Sequence, residues 1–214
     1  MIEIKKWYNR KKGEKIVKAL LNNDFKARYF ETPEQCLDYV KIVIKQYKTI
    51  GFGGSVTNLH QLNIPELCEQ QGKTVFNHNK PGLSREEKIE LRKKELTCDL
   101  FITSTNALTE NGKLVNIDGV GNRTNAMTFG PKKCLVICGI NKITKDINSA
   151  IERVKNVASP MNARRLNIET GCYHTGYCVN CQKPERICRV ITILEKKPVL
   201  SDIEVLIIGA ELGF

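Results

Sequence analysis

The segment KKCLVICGI, residues 132–140, is an almost continuous apolar run. A strand that is apolar on both faces is typical of a parallel sheet, because helices cover both sides of such a sheet. A further strand is predicted near the end of the chain, at EVLIIGAELGF (204–214). The segment 132–140 therefore favours an α/β fold.

Helical patterns alternate with strand patterns along the rest of the chain. Apolar residues at helical spacing predict helices at TPEQCLDYVKIVIKQY (32–47) and SREEKIELRKKELT (84–97). The second of these begins with a capping box, formed by Ser84 and Glu87. Other helices are predicted at 4–21, 144–158 and 159–166, and other strands at 25–30, 73–78, 99–108, 111–118 and 189–196. This alternation predicts a mostly parallel sheet flanked by helices, in a single domain over residues 1–214.

The chain of 214 residues carries a formal net charge of +11, which raises the question of nucleic-acid binding. Its basic residues lie mostly in helical stretches, and the segment REEKIELRKKE mixes both signs as a solvated helix face does. No run of five or six like charges occurs. The charge therefore favours a small anionic ligand, or solubility alone, over nucleic acid.

The N-terminal segment MIEIKKWYNRKKGEK lacks the apolar stretch of a signal peptide, and no later apolar run reaches transmembrane length. These features predict a cytoplasmic protein without a membrane partner. Thiols stay reduced in the cytoplasm, so the nine cysteines are interpreted as metal ligands or small buried side chains and not as disulfides.

Four cysteines cluster in TGCYHTGYCVNCQKPERIC (170–188), where Cys172, Cys178, Cys181 and Cys188 follow the spacing C-x5-C-x2-C-x6-C. A CxxC pair places two thiolates on one turn, and the outer cysteines close two longer loops around them. This spacing predicts a metal-binding insertion at about residues 170–189, between a helix and a strand.

The identity of the metal has two alternatives. Structural zinc sites usually use two short-spaced pairs, whereas this segment has one short pair and two outlying cysteines. A [4Fe–4S] cluster can be reached at four corners from one wrapping loop, so we favour this cluster and keep zinc as the alternative. Nearby basic side chains would offset the charge of four thiolates; they are His174, Lys183, Arg186 and Arg189.

The loop GFGGSVTN (51–58) follows a predicted strand. Glycines let the backbone approach a ligand, and successive N–H groups ahead of a helix bind anions. The alternative is a tight turn that needs glycine because φ is positive. The candidate ligand-binding residues of this loop are Gly51, Gly53, Gly54, Ser55 and Thr57.

A second polar loop lies in STNALTENGKLVNIDGVGNR (104–123). In α/β proteins ligands bind outside the carboxyl ends of strands, where both loops are expected. Glu110 and Asp118 are candidates for a catalytic base or nucleophile, with turn capping as the alternative for each. The candidate ligand-binding residues here are Asn106, Asn116, Gly119, Gly121, Asn122 and Arg123.

The run DLFITSTNALTENGKLVNIDGVGNRTNAMTFGPKKCLVICGINKI (99–143), with GFGGSVT before it and NVASPMNARRL after it, resembles the LUD domain of lactate-utilisation proteins. The resemblance implies a fold like those of ribose-phosphate isomerases and CoA-transferases. It also implies a link to lactate oxidation, with iron–sulfur and flavin proteins as partners.

In that wider superfamily the two loops frame a sugar phosphate or a CoA ester. CoA-transferases carry a catalytic Glu before an Asn-Gly pair, and the resemblance places Glu110 before Asn111 and Gly112. The isomerases commonly have an Asp where this chain has Asn106, which argues against isomerase chemistry.

Three functional hypotheses follow. The first is a LUD-type protein of organic-acid redox metabolism that holds a [4Fe–4S] cluster and binds a small anionic metabolite, namely a carboxylate, a phosphate or a CoA ester. The second is an enzyme that acts on a sugar phosphate or CoA ester through Glu110. The third is a regulatory protein with a structural zinc ion. Each is compatible with a homo-oligomer.

Overall fold

The computed structural model describes residues 1–214, which form ten strands in two sheets. The strands are β1 (Lys26–Phe30), β2 (Thr49–Phe52), β3 (Thr74–Phe76), β4 (Leu100–Thr103), β5 (Ala107–Thr109), β6 (Leu114–Asp118), β7 (Lys133–Gly139), β8 (Ile143–Thr144), β9 (Val190–Leu194) and β10 (Ile203–Ile208). Six of them form a central sheet in the order β1-β10-β7-β4-β2-β3, and every neighbouring pair runs parallel. This arrangement confirms the predicted α/β class.

Eight helices connect the strands. They are α1 (Ile2–Asn22), α2 (Pro33–Lys45), α3 (Ile64–Gln70), α4 (Arg85–Glu95), α5 (Asn122–Thr128), α6 (Ile147–Arg153), α7 (Ser159–Leu166) and α8 (Gly171–Thr175). Helix α4 begins with the predicted capping box, in which Ser84 and Glu87 each accept a hydrogen bond from the other's backbone N–H. No helix combines the length and the apolar character that a membrane crossing requires.

The central sheet has an apolar core on each face, because alternate residues of a strand point to opposite sides. Val205 and Ile207 of β10 join one core together with Leu20 of α1. Leu206 and Ile208 join the other core, which α2 and α3 cover. Strand β7, at the predicted segment 132–140, is buried along its whole length.

The second sheet has four strands in the order β8-β5-β6-β9, and its β5–β6 and β6–β9 pairs are antiparallel. Residues 99–108, predicted as a strand that runs into a turn, form β4, a bend and then the start of β5 in this second sheet. The chain bends at Ser104–Asn106 between them. Thr105 Oγ1 donates to the Ala107 carbonyl (2.9 Å), and this hydrogen bond helps to hold the bend.

Gly112, in the β5–β6 hairpin, provides a test of how this sheet packs on α1. Its φ is +78°, and an added Cβ would lie 2.6 Å from the backbone carbon of Ala19. We expect Gly112→Ala to lower the free energy of unfolding by about 3 kcal/mol, because left-handed strain and overpacking add together. Gly72→Ala is the control, since its φ is also positive but open space surrounds it, and we expect about 1 kcal/mol. Equal urea midpoints for the two variants would contradict the close packing of Gly112 on α1.

Candidate functional site

A cavity of about 330 Å³ lies at the carboxyl ends of four adjacent strands of the central sheet. The segments that follow these strands line it: Gly54–Val56 after β2, His78 and Asn79 after β3, Ser104–Asn106 after β4, and Lys142 after β7. Parallel strands end at the same edge, so residues distant in sequence meet there, as expected for a ligand site in an α/β fold.

Some of the predicted catalytic and ligand-binding residues line the cavity, and others do not. It is lined by Gly54, Ser55, Asn106, Asp118, Gly119, Asn122 and Arg123. Those that do not line it are Gly51, Gly53, Thr57, Asn116 and Gly121.

The glycine loop is explained by close packing and not by positive φ. Gly53 has no positive φ, but a Cβ added to it would lie 2.5 Å from Thr103 Oγ1. Glycine therefore lets the end of β2 approach β4 closely. Thr57 is completely buried behind the loop, in a single π-helical turn (Thr57–Gln61).

Arg123, Asp118 and Asn106 form one hydrogen-bonded wall of the cavity. Arg123 Nε donates to Asp118 Oδ1 (2.9 Å), and its Nη2 donates to Asn106 Oδ1 (2.8 Å). The other Asp118 oxygen accepts from the Thr124 backbone N–H (3.0 Å) in the first turn of α5. Asn116 supports the wall from behind, because its Oδ1 accepts from the Asn106 N–H (3.0 Å). Both Asp118 oxygens are thus engaged, and its role as base or nucleophile stays a prediction.

The structure does not bring Glu110 to the cavity. Glu110 lies at the turn between β5 and β6, and its carboxylate forms an ion pair with Lys15 Nζ of α1 (2.6 Å). The hydrogen bond from Lys15 lowers the pKa of this carboxyl group. A partly exposed, ion-paired carboxylate is typical of a surface contact. A catalytic role for Glu110 stays a prediction that this position does not favour.

A buried pair, His78 and Glu95, lies at the β3 end of the cavity. Glu95 is at the end of α4, and its carboxylate oxygens lie 2.7 and 2.9 Å from His78 Nδ1. Glu95 also accepts the His78 backbone N–H at 3.1 Å. Nδ1 is thus the ring nitrogen held by the carboxylate, and the His78 side chain lines the cavity. This geometry suits acid–base chemistry.

Positive charge dominates the lining. Four cationic side chains line the cavity, namely Arg92, Arg123, Lys142 and Arg165, whereas Asp118 is its one carboxylate. Only Arg123 pairs with that carboxylate. The Nε of Arg92 is buried without a hydrogen-bond partner. A buried donor left unpaired is costly, so this arrangement favours an anionic ligand that supplies the missing acceptors.

The four predicted metal ligands lie in one compact loop. Burial raises the pKa of the Cys188 thiol, the hydrogen bond to Ser159 lowers it, and the nearby thiols of Cys172 and Cys178 raise it. Cys181 lies beside the residue that precedes Cys172, because a Cβ added to Gly171 would be 3.2 Å from Cys181 Cβ. All nine cysteines are free, and no three His, Cys, Asp or Glu side chains are grouped as they would be around one metal ion.

Arg186 stabilises this loop through hydrogen bonds to the loop backbone. Its Nε donates to the Cys188 carbonyl (2.7 Å) and its Nη1 donates to the Cys181 carbonyl (2.9 Å). The loop also contacts the cavity wall, since Cys188 Sγ lies 3.2 Å from Ser159 Oγ and both Ser159 and Ile187 line the cavity. The C-terminal end of the cysteine loop, at Cys188, therefore adjoins the cavity.

Sequence reasoning missed several lining residues. Lys142 has a usable signal, because a charged residue soon after a buried parallel strand lies near its carboxyl end. His78 has a weaker signal, because it ends the strand predicted at 73–78. Arg92 and Glu95 had no signal, since they are two of many charged residues on one mixed-charge helix.

Comparisons with known proteins agree with this architecture. The sequence model of the LUD domain matches residues 13–208. The fold is similar to the crystal structure of a DUF162 family protein from Deinococcus radiodurans, with a TM-score of 0.53 and 13% identity over 94% of this chain and 98% of that chain.

Partial similarity extends to two other solved structures. One is eIF2B delta from Chaetomium thermophilum (17% identity, TM-score 0.31, 53% of this chain and 50% of that chain). The other is ribose 5-phosphate isomerase from Plasmodium falciparum (17% identity, TM-score 0.29, 61% of this chain and 52% of that chain). No curated protein matches the chain. Because the family match spans most of the sequence, the chain belongs to the LUD domain family.

Proposed function

We propose that this protein acts in the redox metabolism of lactate or a related organic acid, with a [4Fe–4S] cluster on the four-cysteine loop and a small anionic metabolite in the adjoining cavity. Membership of the LUD domain family indicates a function related to lactate utilisation. The observation that carries the proposal is the excess of cationic side chains in a cavity whose wall also contacts the cysteine loop.

The charge of the cavity supports a carboxylate, phosphate or CoA-ester ligand. Three of the four lining cations have no carboxylate partner, and cations in a partly water-excluded cleft attract anions more strongly than they do in open solvent. Planar guanidinium groups such as that of Arg92 can bind a carboxylate through two parallel hydrogen bonds.

The surroundings of the cysteine loop support a cluster of negative charge. His174, Lys183, Arg186 and Arg189 lie within or beside the loop, and the backbone contacts of Arg186 hold it closed. Cys172 is buried while the other three cysteines are half-buried, so an oxygen-sensitive group would be partly shielded. Held by four thiolates, a [4Fe–4S] cluster supplies one-electron transfer. Zinc is the alternative occupant.

The proposal includes partners and location. Iron–sulfur or flavin proteins are the proposed electron-transfer partners, and we propose a cytoplasmic site of action. A homo-oligomer is compatible with this role, and nucleic acid is not among the proposed ligands.

One observation favours a second candidate function, that of an enzyme. His78 lines the cavity, and its ring is oriented by the buried Glu95 carboxylate behind it, an arrangement that suits acid–base catalysis. Catalysis on a carbonyl or hydroxyl compound would use this pair.

Anion binding is tested with Arg92→Met. We expect isothermal titration calorimetry with L-lactate and with pyruvate to give saturable binding to the wild type, and affinity at least about tenfold weaker in the variant, because a desolvated charged contact is lost. The control is Arg85→Met, which removes an exposed guanidinium from the same helix. Equal affinities in all three proteins, or no binding of either anion to the wild type, would refute the anion site.

A further inference from the structure

We infer that Lys142 is a catalytic amine, which forms an imine with the carbonyl carbon of a short 2-oxo carboxylate bound in the cavity. This inference rests on the anion-binding part of the proposed function and is independent of the cluster. It is carried by the position of the amine, by its polar contacts and by a comparison with a second buried lysine, which lies at the start of the strand that precedes it.

The position of Lys142 is fixed by the backbone. It ends the 3₁₀ turn Ile140–Lys142, which follows β7 in the interior of the central sheet. The turn cannot move away from the sheet edge easily, since the Ile140 N–H donates to the Ala210 carbonyl (3.1 Å). A Cβ added to Gly139 would lie 2.6 Å from that same carbonyl oxygen. The amine is therefore held at the cavity by a rigid element, as a catalytic group requires.

The amine has no counter-ion beside it, and this favours its unprotonated, nucleophilic form. Lys142 Nζ donates one hydrogen bond, to Ser104 Oγ (3.0 Å), and forms no ion pair although only 4% of the residue is exposed. A buried ammonium ion normally requires a carboxylate, whereas a neutral amine is satisfied by one hydroxyl group and keeps its lone pair for reaction.

Lys133 shows what a structural lysine looks like in this protein. It begins β7 and is also buried, but its Nζ contacts the Glu204 carboxylate at 2.7 Å and the Asp202 carboxylate at 3.7 Å. One buried lysine at the start of β7 is thus neutralised by carboxylates, and the one in the turn after β7 is not. The one without a carboxylate lines the cavity.

The electrostatic surroundings of Lys142 lower its pKa to about 8. Burial is the main cause, the Cys138 thiol opposes it, and the cationic groups of Arg153 and Arg123 add to it. An amine is nucleophilic only when unprotonated, so about half of the Lys142 side chains are reactive at pH 8, compared with less than about 1% of exposed lysines.

The reaction is balanced without an oxidant or reductant. The Lys142 nitrogen lone pair forms a bond to the carbonyl carbon, and the carbonyl π pair moves onto oxygen, giving a carbinolamine. Two proton transfers then release that oxygen as water and leave a C=N bond. Ser104 lies where it can carry a proton away from the nitrogen. The carboxylate of a 2-oxo acid would bind the lining guanidinium groups while its ketone meets the amine.

The test is reductive trapping with pyruvate and cyanoborohydride, in the intact protein, followed by proteolysis and mass spectrometry. We expect the 1-carboxyethyl adduct on Lys142 to form at least about tenfold faster at pH 7 than on Lys133 or the exposed Lys145, because far more of its amine is unprotonated. The rate should rise with pH and level off above about 8, and it should saturate with pyruvate.

A variant and the calorimetric data distinguish imine formation at Lys142 from anion binding alone. Lys142→Arg, with native circular dichroism, should lose the fast adduct, and Lys133 labelling should stay slow. If pyruvate binds calorimetrically but Lys142 is not labelled preferentially, the imine is wrong and the anion site stands. If pyruvate neither binds nor labels, both fail. Preferential labelling that follows the pH profile would establish Lys142 as the amine that forms the imine.

Discussion

Cys178→Ser and Cys181→Ser, prepared anaerobically, are each expected to lose most of the bound iron and the broad absorbance near about 400 nm that a [4Fe–4S] cluster gives. Each variant removes one thiolate of the CxxC pair, which places two ligands on one turn at small entropic cost. A hydroxyl group is a poor replacement for a soft thiolate on iron.

The loss of iron in these two variants should leave the fold of the protein intact. Cys178 and Cys181 are half-buried and belong to no apolar core, so their replacement by serine should leave the thermal unfolding of the α/β sheet nearly unchanged. The control is Cys36→Ala, which removes a buried thiol of α2 on the far side of the central sheet and should retain full iron. Iron retained in both loop variants, or lost equally in the control, would contradict ligation by this loop.

Glu95→Leu is expected to lower the free energy of unfolding by about 3–5 kcal/mol, the second large effect. Glu95 is 1% exposed and accepts hydrogen bonds from both the ring and the backbone of His78. Removing the carboxylate leaves two buried donors unpaired, which costs more than the pair itself contributes. Urea denaturation monitored by circular dichroism measures the loss.

Two further variants separate this effect from a general loss of packing. Glu90→Leu, on an exposed part of the same helix, should leave the urea midpoint nearly unchanged. The double variant His78→Leu with Glu95→Leu should lose less free energy of unfolding than the sum of the two single losses, by at least about 1 kcal/mol. The reason is that no imidazole is then left buried without its carboxylate partner. Strict additivity would show that the pair is not coupled.

The fold was largely predictable because its main signals are local. The apolar run 132–140 can be covered on both faces only inside a parallel sheet, and the capping box at Ser84 and Glu87 marks the start of α4 without tertiary information. The second strand within 99–108 is harder to predict, because the polar run at 103–106 is typical of a turn and the pairing of Ala107 and Leu108 depends on long-range contacts with β6.

The site was less predictable because its chemistry arises from long-range contacts. Glu95 reaches His78 only when α4 packs against β2 and β3, and no local pattern encodes that meeting. Asp118 and Arg123 both line the cavity, because they are close in sequence at one strand end. Glu110 belongs to the same polar segment, but the hairpin turns it towards α1 and away from the cavity.

The proposed [4Fe–4S] cluster on the four-cysteine loop is tested most directly by iron, zinc and acid-labile sulfide analysis of the wild-type protein, purified anaerobically. We expect about four iron atoms and about four sulfides per chain, with absorbance near about 400 nm that dithionite bleaches. Colourless protein with one zinc ion per chain and no sulfide would contradict it.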